Sequence, residues 1–218
     1  MLIKCVARDS PLSHAQVREV FQHASFPFVV DYIKSRGDFD QKSCLINMAK
    51  NDFFTRELDE ALLNQTAQVA IHSAKDLPSP LPQGLHVAAM TKSINSLDTL
   101  VLKEGITLDD IPIGGDIGAS SYRREQMIQL MRSDLKMRSI RGTIEKRIAL
   151  LDDPTLYGVV IAKAALIRLN LLHLNSIDLP GVGAEHQGRL AIVCRDGDSE
   201  MINLFAPLHY DAHSISRN

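Results

Sequence analysis

The sequence predicts an α/β protein of two lobes, each built on a mainly parallel sheet, and three observations lead to this prediction. Short apolar runs alternate with segments of helical periodicity along most of the chain. Two polar interruptions, at residues 91–96 and 182–188, divide this pattern. The chain has 218 residues, which is enough for two small domains. We therefore expect a first lobe of residues 1–92 plus 188–218 and a second lobe of residues 97–182, joined by two crossover segments.

The individual elements follow from periodicity and capping residues. Strands are predicted where apolar residues run together, at residues 2–7, 26–33, 69–72, 86–90, 100–102, 117–119, 136–140, 159–162 and 190–195. Helices are predicted between them, at residues 55–63, 143–151, 164–169 and 199–205. Two further helices begin at recognisable caps, because Ser10 precedes Pro11, and Ser120 or Ser121 precedes a helical segment that ends at Met131.

The composition restricts the classes of partner. The formal net charge is −2, so the chain as a whole has no basic field that would attract nucleic acid or an anionic membrane. Aromatic residues make up 5% of the chain and Trp is absent, which leaves few surfaces on which bases could stack. The basic residues are clustered locally. We therefore expect a small anionic ligand, no nucleic-acid or membrane partner, and a monomer.

The cysteines and the amino terminus indicate a reducing compartment. No apolar stretch near Met1 is long enough for a signal peptide, and no run of about 18 apolar residues occurs. Cys5, Cys44 and Cys194 are far apart and read as buried small hydrophobic residues. We therefore expect a cytoplasmic protein. Of the eight histidines only His209 and His213 have a weak metal-ligand spacing, and we expect no metal site.

Three short segments hold the candidate functional residues. The segment 72–78 places Lys75 beside Asp76 directly after an apolar run. The segments 119–124 and 141–147 place arginines in the first turns of two predicted helices. The positive end of a helix dipole repels cations, so arginines are favoured there only if an anion normally lies among them. These segments predict a site for a ligand that carries several carboxylates or phosphates.

Each of these residues also has a structural interpretation. Asp76 is close to several prolines and could be a turn residue. The Arg123–Arg124 pair could be a solvated helix face, because a charge at an exposed helix end changes stability by only about 0.3–1 kcal/mol. Arg141 and Arg147 are six residues apart, so on one helix they would point to different sides. Arg8 could be a surface ion-pair partner. From the residues alone these alternatives stay open.

Taken together, six motifs resemble the porphobilinogen deaminase (hydroxymethylbilane synthase) family. They are Arg8–Leu12, Phe54–Leu58, His72–Pro78, Gly118–Arg124, Arg141–Arg147 and Ala162–Leu169. The similarity extends from residue 2 to about residue 205, in the family's order and spacing. The resemblance implies two lobes like those of type II periplasmic binding proteins. It also implies the condensation of four porphobilinogen molecules into hydroxymethylbilane, with release of ammonia, in tetrapyrrole (haem) biosynthesis.

The resemblance further implies a role for each candidate residue. Asp76 is expected to be the catalytic carboxylate, which stabilises the cation that forms as ammonia leaves. A carboxylate among arginines stays ionised and can stabilise a developing positive charge. The residues expected to bind substrate or cofactor are Arg8, Ser10, Ser73, Lys75, Ser120, Ser121, Arg123, Arg124, Arg141, Arg147, Arg168 and Gln187.

The sequence departs from the family pattern in three places, one of which is around Asn51 and Asp52, where the family has a lysine-glycine pair before the phenylalanine. The family attaches a dipyrromethane cofactor to a cysteine of a third domain, and the residues up to Asn218 include neither. Ala119 stands where the family has the threonine of a Gly-Thr-Ser-Ser motif. We therefore expect the third domain to be absent and dipyrromethane to be held without a covalent bond or not at all. The alternative function is a non-catalytic two-lobed binding protein for pyrroles or other polycarboxylates.

Overall fold

The structure is a computed structural model that describes residues 1–22, 24–35, 37 and 52–211. The described residues form two compact units. The first unit takes its described residues from Met1–Phe39, Lys50–Ile94 and Gly188–Asn218, and the second takes its described residues from Asn95–Gln187. Each unit contains one five-stranded sheet together with helices.

The elements alternate along the chain as expected for an α/β protein. The strands are β1 (Ile3–Arg8), β2 (Phe28–Ile33), β3 (Val69–Ser73), β4 (Leu85–Met90), β5 (Asp98–Leu102), β6 (Asp116–Ala119), β7 (Lys136–Ser139), β8 (Leu156–Ala162), β9 (Ser176–Asp178) and β10 (Leu190–Arg195). The helices are α1 (Pro11–Phe21), α2 (Arg56–Leu63), α3 (Tyr122–Met131), α4 (Ile144–Ala149), α5 (Lys163–Arg168) and α6 (Ser199–Phe205). Every element predicted from the sequence is present, with small shifts at the ends, and β9 was not predicted.

The sheet of the first unit has the strand order β2-β1-β3-β10-β4 and is apolar on both faces. On β3, Val69 and Ile71 pack on one face with Val17 of α1, whereas Ala70 packs on the other face with Leu58 of α2. Successive side chains of a strand point to opposite faces, so a strand covered on both sides is apolar throughout. This explains why the first three residues of β3, Val69–Ile71, form a continuous apolar run.

The second unit has the strand order β7-β6-β8-β5-β9. Its main apolar cluster joins Leu100, Ile117 and Val160 of the sheet to Met127 and Ile128 of α3. The packing of α3 against the sheet fixes the position of the arginines in its first turn. Among the helices of the described residues, none combines the length and the hydropathy that crossing a membrane requires.

The expectation of mainly parallel sheets was wrong. Strand β1 is parallel to β2 and β3, and β6 is parallel to β7 and β8, but β10 is antiparallel to β3 and β4, and β5 is antiparallel to β8 and β9. The crossovers explain the difference in the first unit. The chain leaves after β4 and returns as β10 beside it, with Thr91 N donating to Leu190 O (2.9 Å) and Ile94 N donating to Gly188 O (3.3 Å). A chain that leaves a sheet and re-enters it at the same edge must form a strand that runs in the opposite direction.

The two crossover segments also approach each other closely within the second unit. A Cβ atom added at Gly183 would lie 1.8 Å from Ser96 O and 2.7 Å from Gln187 Nε2. Only a residue without a side chain fits at this approach. The contact is between backbone and backbone, so a rotamer change cannot relieve it.

We predict that Gly183→Ala destabilises the protein by about 1–3 kcal/mol, the usual cost of overpacking a closely packed contact. Urea unfolding followed by circular dichroism measures this change. The neighbouring Val182→Ala is the control, because Val182 is exposed and surface substitutions usually stay within about 0.5 kcal/mol. Equal stabilities for the two variants would contradict the prediction.

Candidate functional site

The candidate residues of the first unit lie at one edge of its sheet, which we call the first edge. Strands β1 and β3 run parallel and end at Arg8 and Ser73. Strand β10 begins at the same edge, because Leu190 pairs with Ser73. After β3 the chain makes a 3₁₀ turn over Ala74–Asp76, and Ala74 N donates to Arg189 O (3.0 Å). The fold therefore places Asp76 directly beyond the end of a buried strand.

Two serines at the first edge make hydrogen bonds with α1. Ser10 is the N-cap of α1, as predicted, and its Oγ accepts from Ser13 N at 3.2 Å. Ser73 Oγ accepts from Gln16 Nε2 at 2.7 Å. Sequence reasoning missed Gln16, although a polar residue on the buried face of α1, four positions before Val20, was a usable signal. Gln16 fixes the Ser73 hydroxyl next to the segment that carries Asp76.

Arg8 lies against an aromatic ring at the same edge. Its guanidinium carbon is 4.6 Å from the centroid of Phe54, which directly precedes the segment leading into α2. Such cation–π contact orients the plane of the guanidinium group. Burial, assisted by the charge of Arg8, lowers the pKa of His72 to about 4. His72 is therefore neutral at physiological pH and adds no charge to the first edge.

Asp76 is the carboxylate that the sequence singles out, and it has unusual surroundings. The residue is half-buried, and its side chain makes no hydrogen bond or ion pair with the part of the chain that the structure describes. The hydrogen bond from backbone to side chain by which an aspartate often stabilises a turn is therefore not made with the described residues either. Partial burial disfavours a charge that has no partner. A carboxylate in this position is suited to bind an N–H donor or a cation.

The candidate residues of the second unit lie at an equivalent edge, which we call the second edge. Strands β6 and β7 end in register, with Ala119 opposite Ser139. Asp98, the first residue of β5, pairs with Ala162, the last residue of β8. The segments that continue from this edge carry Ser120, Ser121, Arg123, Arg124, Arg141 and Lys163.

A buried carboxylate lies among these arginines. Asp98 Oδ1 accepts from Arg124 Nε (3.1 Å) and Nη2 (2.7 Å), and Asp98 Oδ2 accepts from Arg123 Nη2 (2.5 Å). Asp98 is 0% exposed. Burial by itself would raise the pKa of Asp98, but the guanidinium groups of Arg124 and Arg123 outweigh it and leave the pKa below its ordinary value. The sequence analysis predicted an anion among these arginines, and in the structure one such anion is the Asp98 side chain of the protein itself. The sequence analysis did not predict this role for Asp98.

The two neighbouring arginines have different environments. Arg124 is 5% exposed, and its Nη1 donates to Ser120 Oγ (3.0 Å) and Val160 O (3.3 Å), so all three of its nitrogens are bound. The interpretation as a solvated helix face is therefore wrong for Arg124. The Arg123 side chain is 33% exposed, and its Nη1 donates to Val182 O (3.2 Å). Arg123 Nε makes no hydrogen bond with the described residues.

Ser120 and Arg147 extend this network. Arg147 lies on α4 and donates from Nε to Gly142 O (2.8 Å) and from Nη1 to Ser120 Oγ (3.1 Å). The Ser120 hydroxyl therefore accepts from two arginines. Ser121 is the N-cap of α3 but makes no side-chain capping bond. Arg141 precedes α4, whose N-cap is Thr143, and is therefore not part of that helix. The expectation that Arg141 and Arg147 would point to different sides of one helix does not apply.

Two further residues named from the family resemblance belong to the second unit. Arg168 is the last residue of α5 and is half-buried. Gln187 is buried, and its Nε2 donates to Ser96 O (2.9 Å), Leu97 O (3.0 Å) and Asp98 Oδ1 (3.2 Å). Gln187 thereby connects the second crossover to the first crossover and to the buried carboxylate.

Comparison with protein families agrees with the motifs. A family model described as "Porphobilinogen deaminase, dipyromethane cofactor binding domain" matches residues 3–203. The chain belongs to the porphobilinogen deaminase family. Its relatives include porphobilinogen deaminases of several bacteria, and the family resemblance found in the sequence is confirmed.

These relatives are longer than the chain. The porphobilinogen deaminase of Listeria welshimeri is 33% identical over 200 residues, which are 89% of this chain and 65% of the relative. That of Bacillus velezensis is 35% identical over 216 residues, covering 94% of this chain and 68% of the relative. That of Clostridioides difficile is 36% identical over 182 residues, covering 82% and 60%. The chain thus spans between 60% and 68% of the length of these relatives.

Solved structures confirm the predicted fold class. The methionine binding protein MetQ aligns with 99% of this chain and 92% of its own, with a TM-score of 0.57 and 12% identity. A nutrient binding protein of Burkholderia cenocepacia, solved with methionine bound, covers 94% and 90% with a TM-score of 0.55 and 14% identity. Both have the two-lobed fold of type II periplasmic binding proteins. At this identity the likeness concerns the fold.

A second unusual carboxylate, Asp59, lies on the buried side of α2 beside Leu58 and Leu62. Burial raises the pKa of Asp59 to about 6; the Thr55 hydroxyl lowers it, and neighbouring acidic residues on and before α2 raise it. Because the pKa is higher in the folded chain than in the unfolded chain, the folded state binds the proton more tightly. Below about pH 4 Asp59 is protonated in both states, and its burial does not lower the free energy of unfolding. As the pH rises from about 4 to about 6, the unfolded chain loses this proton first, and the free energy of unfolding falls.

We predict that Asp59→Asn removes this part of the pH dependence. Between about pH 4 and pH 7 the variant should lose less stability than the parent, by about 1–3 kcal/mol once solvent screening is allowed for. Urea unfolding at both pH values measures the difference. Glu104→Gln in the second unit is the control, because Glu104 is an exposed acidic residue that does not act on the pKa of Asp59. An Asp59→Asn variant with the parent's pH dependence would refute the assignment.

Proposed function

We propose that the chain acts as a porphobilinogen deaminase, which condenses four porphobilinogen molecules into hydroxymethylbilane and releases ammonia. One observation carries the proposal: the half-buried Asp76 carboxylate makes no hydrogen bond or ion pair with the described residues. It lies at the end of β3, next to Lys75 and close to the Ser73 hydroxyl that Gln16 fixes. Membership of the family supports the same function.

The chemistry explains why a carboxylate is needed there. The aminomethyl group reacts in its protonated form: its C–N bond breaks, ammonia leaves with the bonding electrons, and the pyrrole that remains is a cationic azafulvene. A carboxylate close to the pyrrole N–H stabilises this ring-centred cation far more than it stabilises the uncharged pyrrole ring of the substrate, which is the condition for catalysis. The next pyrrole attacks the exposed carbon, a C–C bond forms, and a proton is released. Asp76 is the group to which we assign the stabilisation.

The basic residues suit a substrate with many carboxylates. Each porphobilinogen brings an acetate and a propionate group, and arginine forks bind carboxylates through paired hydrogen bonds. We assign carboxylate binding to Arg8, Lys75, Arg123, Arg141, Arg147 and Arg168, with Ser10 and Ser121 as further hydroxyl donors. Arg123 has the most direct support, because it is partly exposed and its Nε makes no hydrogen bond with the described chain. Arg124, with all its nitrogens bound, acts through the position of Ser120 and β5.

A carboxylate that makes no hydrogen bond or ion pair with the described residues argues against the alternative of a non-catalytic binding protein. A site that only holds polycarboxylates loses affinity if it retains a negative charge, since like charges repel. A site that must stabilise a transient cation gains rate from the same charge. Asp76 therefore favours the enzyme over the binding protein.

The matched family is a dipyrromethane cofactor-binding family, and the described residues fit such a group only in part. The arginines suit its carboxylates. The described cysteines do not suit a covalent bond, because the nucleophile is a thiolate and both thiols are buried in strands. Burial raises the pKa of Cys5 far above its ordinary value and that of Cys194 to about 11. Cys44 lies outside the described residues. We propose that any dipyrromethane bound here is not attached to Cys5 or Cys194.

We predict that Asp76→Ala lowers the rate of ammonia release from porphobilinogen by about 100-fold or more, the effect of removing one charge-stabilising group. Ammonia and tetrapyrrole are measured on the same sample, and unfolding curves establish that the variant is folded. The control is Asp196→Ala, because Asp196 is an exposed carboxylate just beyond the opposite end of β10. A variant with the parent's rate would exclude Asp76 as the catalytic carboxylate. If the parent protein binds porphobilinogen without releasing ammonia, the alternative function of a non-catalytic binding protein would be supported instead.

We predict that intact mass under denaturing conditions shows no pyrrole adduct on Cys5 or Cys194 after incubation with porphobilinogen. Burial keeps both thiols protonated, so neither forms the thioether. The variants Cys5→Ala, Cys44→Ser and Cys194→Ala assign any adduct that does form. A stable adduct of two pyrrole units that disappears in Cys5→Ala or Cys194→Ala would contradict the prediction.

A further inference from the structure

Asp98 connects three segments of the second unit. It is the first residue of β5, at the end of the first crossover. Its oxygens accept hydrogen bonds from Arg123 and Arg124 in the first turn of α3. Oδ1 also accepts from Gln187 Nε2 (3.2 Å) in the second crossover. One buried charge thus holds the arginines and both crossover segments in a single network.

The two oxygens of Asp98 have different tasks. Oδ1 is shared by Arg124 and Gln187, which are both buried. Oδ2 accepts from Arg123, which is partly exposed and also donates from Nη1 to Val182 O at 3.2 Å. An incoming carboxylate can therefore reach Arg123 while the Arg124 contacts remain in place.

The energetic consequence is preorganisation. A free arginine side chain loses rotamer entropy when a ligand fixes it. Arg123 is already fixed from one side by Asp98 and Val182, so this entropy is lost on folding and not on binding. Because Asp98 is fully buried, water competes weakly for the contact. The same contact makes the position of Val182 depend on Arg123.

We infer that Asp98 is a positioning residue, which holds Arg123 ready for a substrate carboxylate and couples Arg123 to the second crossover at Val182–Gln187. Asp98 does not itself touch substrate. The substrate part of this inference rests on the proposed function. The coupling part concerns the free protein and stands independently of it.

The first experiment measures the KM for porphobilinogen in Asp98→Asn, Arg123→Leu and the double variant. Each single substitution should raise KM about tenfold or more, because a charge-assisted contact is lost. The rise in KM of the double variant should fall well short of the product of the two single effects, since Asp98 acts on substrate mainly through Arg123. Penalties that multiply in the double variant, or an unchanged KM in Asp98→Asn, would overturn the inference.

The chain offers a matched control on the same helix segment. Arg132, just after α3, donates to Asp134 from Nε (2.8 Å) and Nη2 (2.7 Å), a bidentate pair remote from the second edge. Asp134→Asn should leave KM at the parent's value. A rise in KM equal to that of Asp98→Asn would mean that any lost arginine–aspartate pair perturbs the site, and would overturn the specific role of Asp98.

The second experiment is hydrogen exchange on the protein without ligand. Peptides covering residues 181–189 should exchange faster in Asp98→Asn and in Arg123→Leu than in the parent and in Asp134→Asn. If the parent does not use porphobilinogen, the proposed function fails, while this measurement still decides the coupling. If Asp98→Asn does not fold, Arg123→Leu, which keeps the Arg124–Asp98 pair, decides it. Equal exchange in the parent and the folded variants would overturn the inference.

Discussion

The pairing of Asp98 with Arg123 and Arg124 is the interaction on which the second edge depends. Two arginines in the first turn of a helix oppose the helix dipole, and burying one of them adds a desolvation penalty. Asp98 compensates both effects, and removing it would leave a buried guanidinium at a cost of about 3–5 kcal/mol. The pKa of Asp98 is below its ordinary value. The stabilisation is therefore complete above the unfolded-state pKa and is lost only as the pH falls through the folded-state value.

The two edges use carboxylates in opposite ways. Asp98 is bound by two arginines and Gln187 and is fully buried, so it can order its neighbours but is not exposed to a ligand. Asp76 makes no such bonds with the described residues, although it is half-buried. A satisfied carboxylate is suited to positioning, and an unsatisfied one is suited to chemistry in which a positive charge appears. The division of roles follows from the hydrogen bonds, since the two side chains are chemically identical.

How much the sequence could predict depended on whether the information was local. The limits of β10 and α6 agree with the prediction because apolar runs and helical faces are local patterns. The antiparallel direction of β10 did not follow from the expectation of mainly parallel sheets, because direction depends on where the crossover returns. Gln16 and Asp98 were missed for a similar reason: their partners, Ser73 and Arg124, are 57 and 26 positions away in the chain. The short strand β9 has too few residues to show a period.

The substitution of the family's threonine by Ala119 becomes understandable from the register of the second sheet. Ala119 is the last residue of β6, is fully buried, and accepts through its carbonyl oxygen a hydrogen bond from Ile140 N (2.9 Å). A hydroxyl at this position would need a buried partner of its own, whereas a methyl group needs none. The hydroxyls that reach the second edge are those of Ser120 and Ser121, and both are retained. Ser120 is held by Arg124 and Arg147, and both arginines are also retained. The departure from the family motif therefore removes a group from the interior of the sheet and leaves the hydroxyl–arginine network at its edge intact.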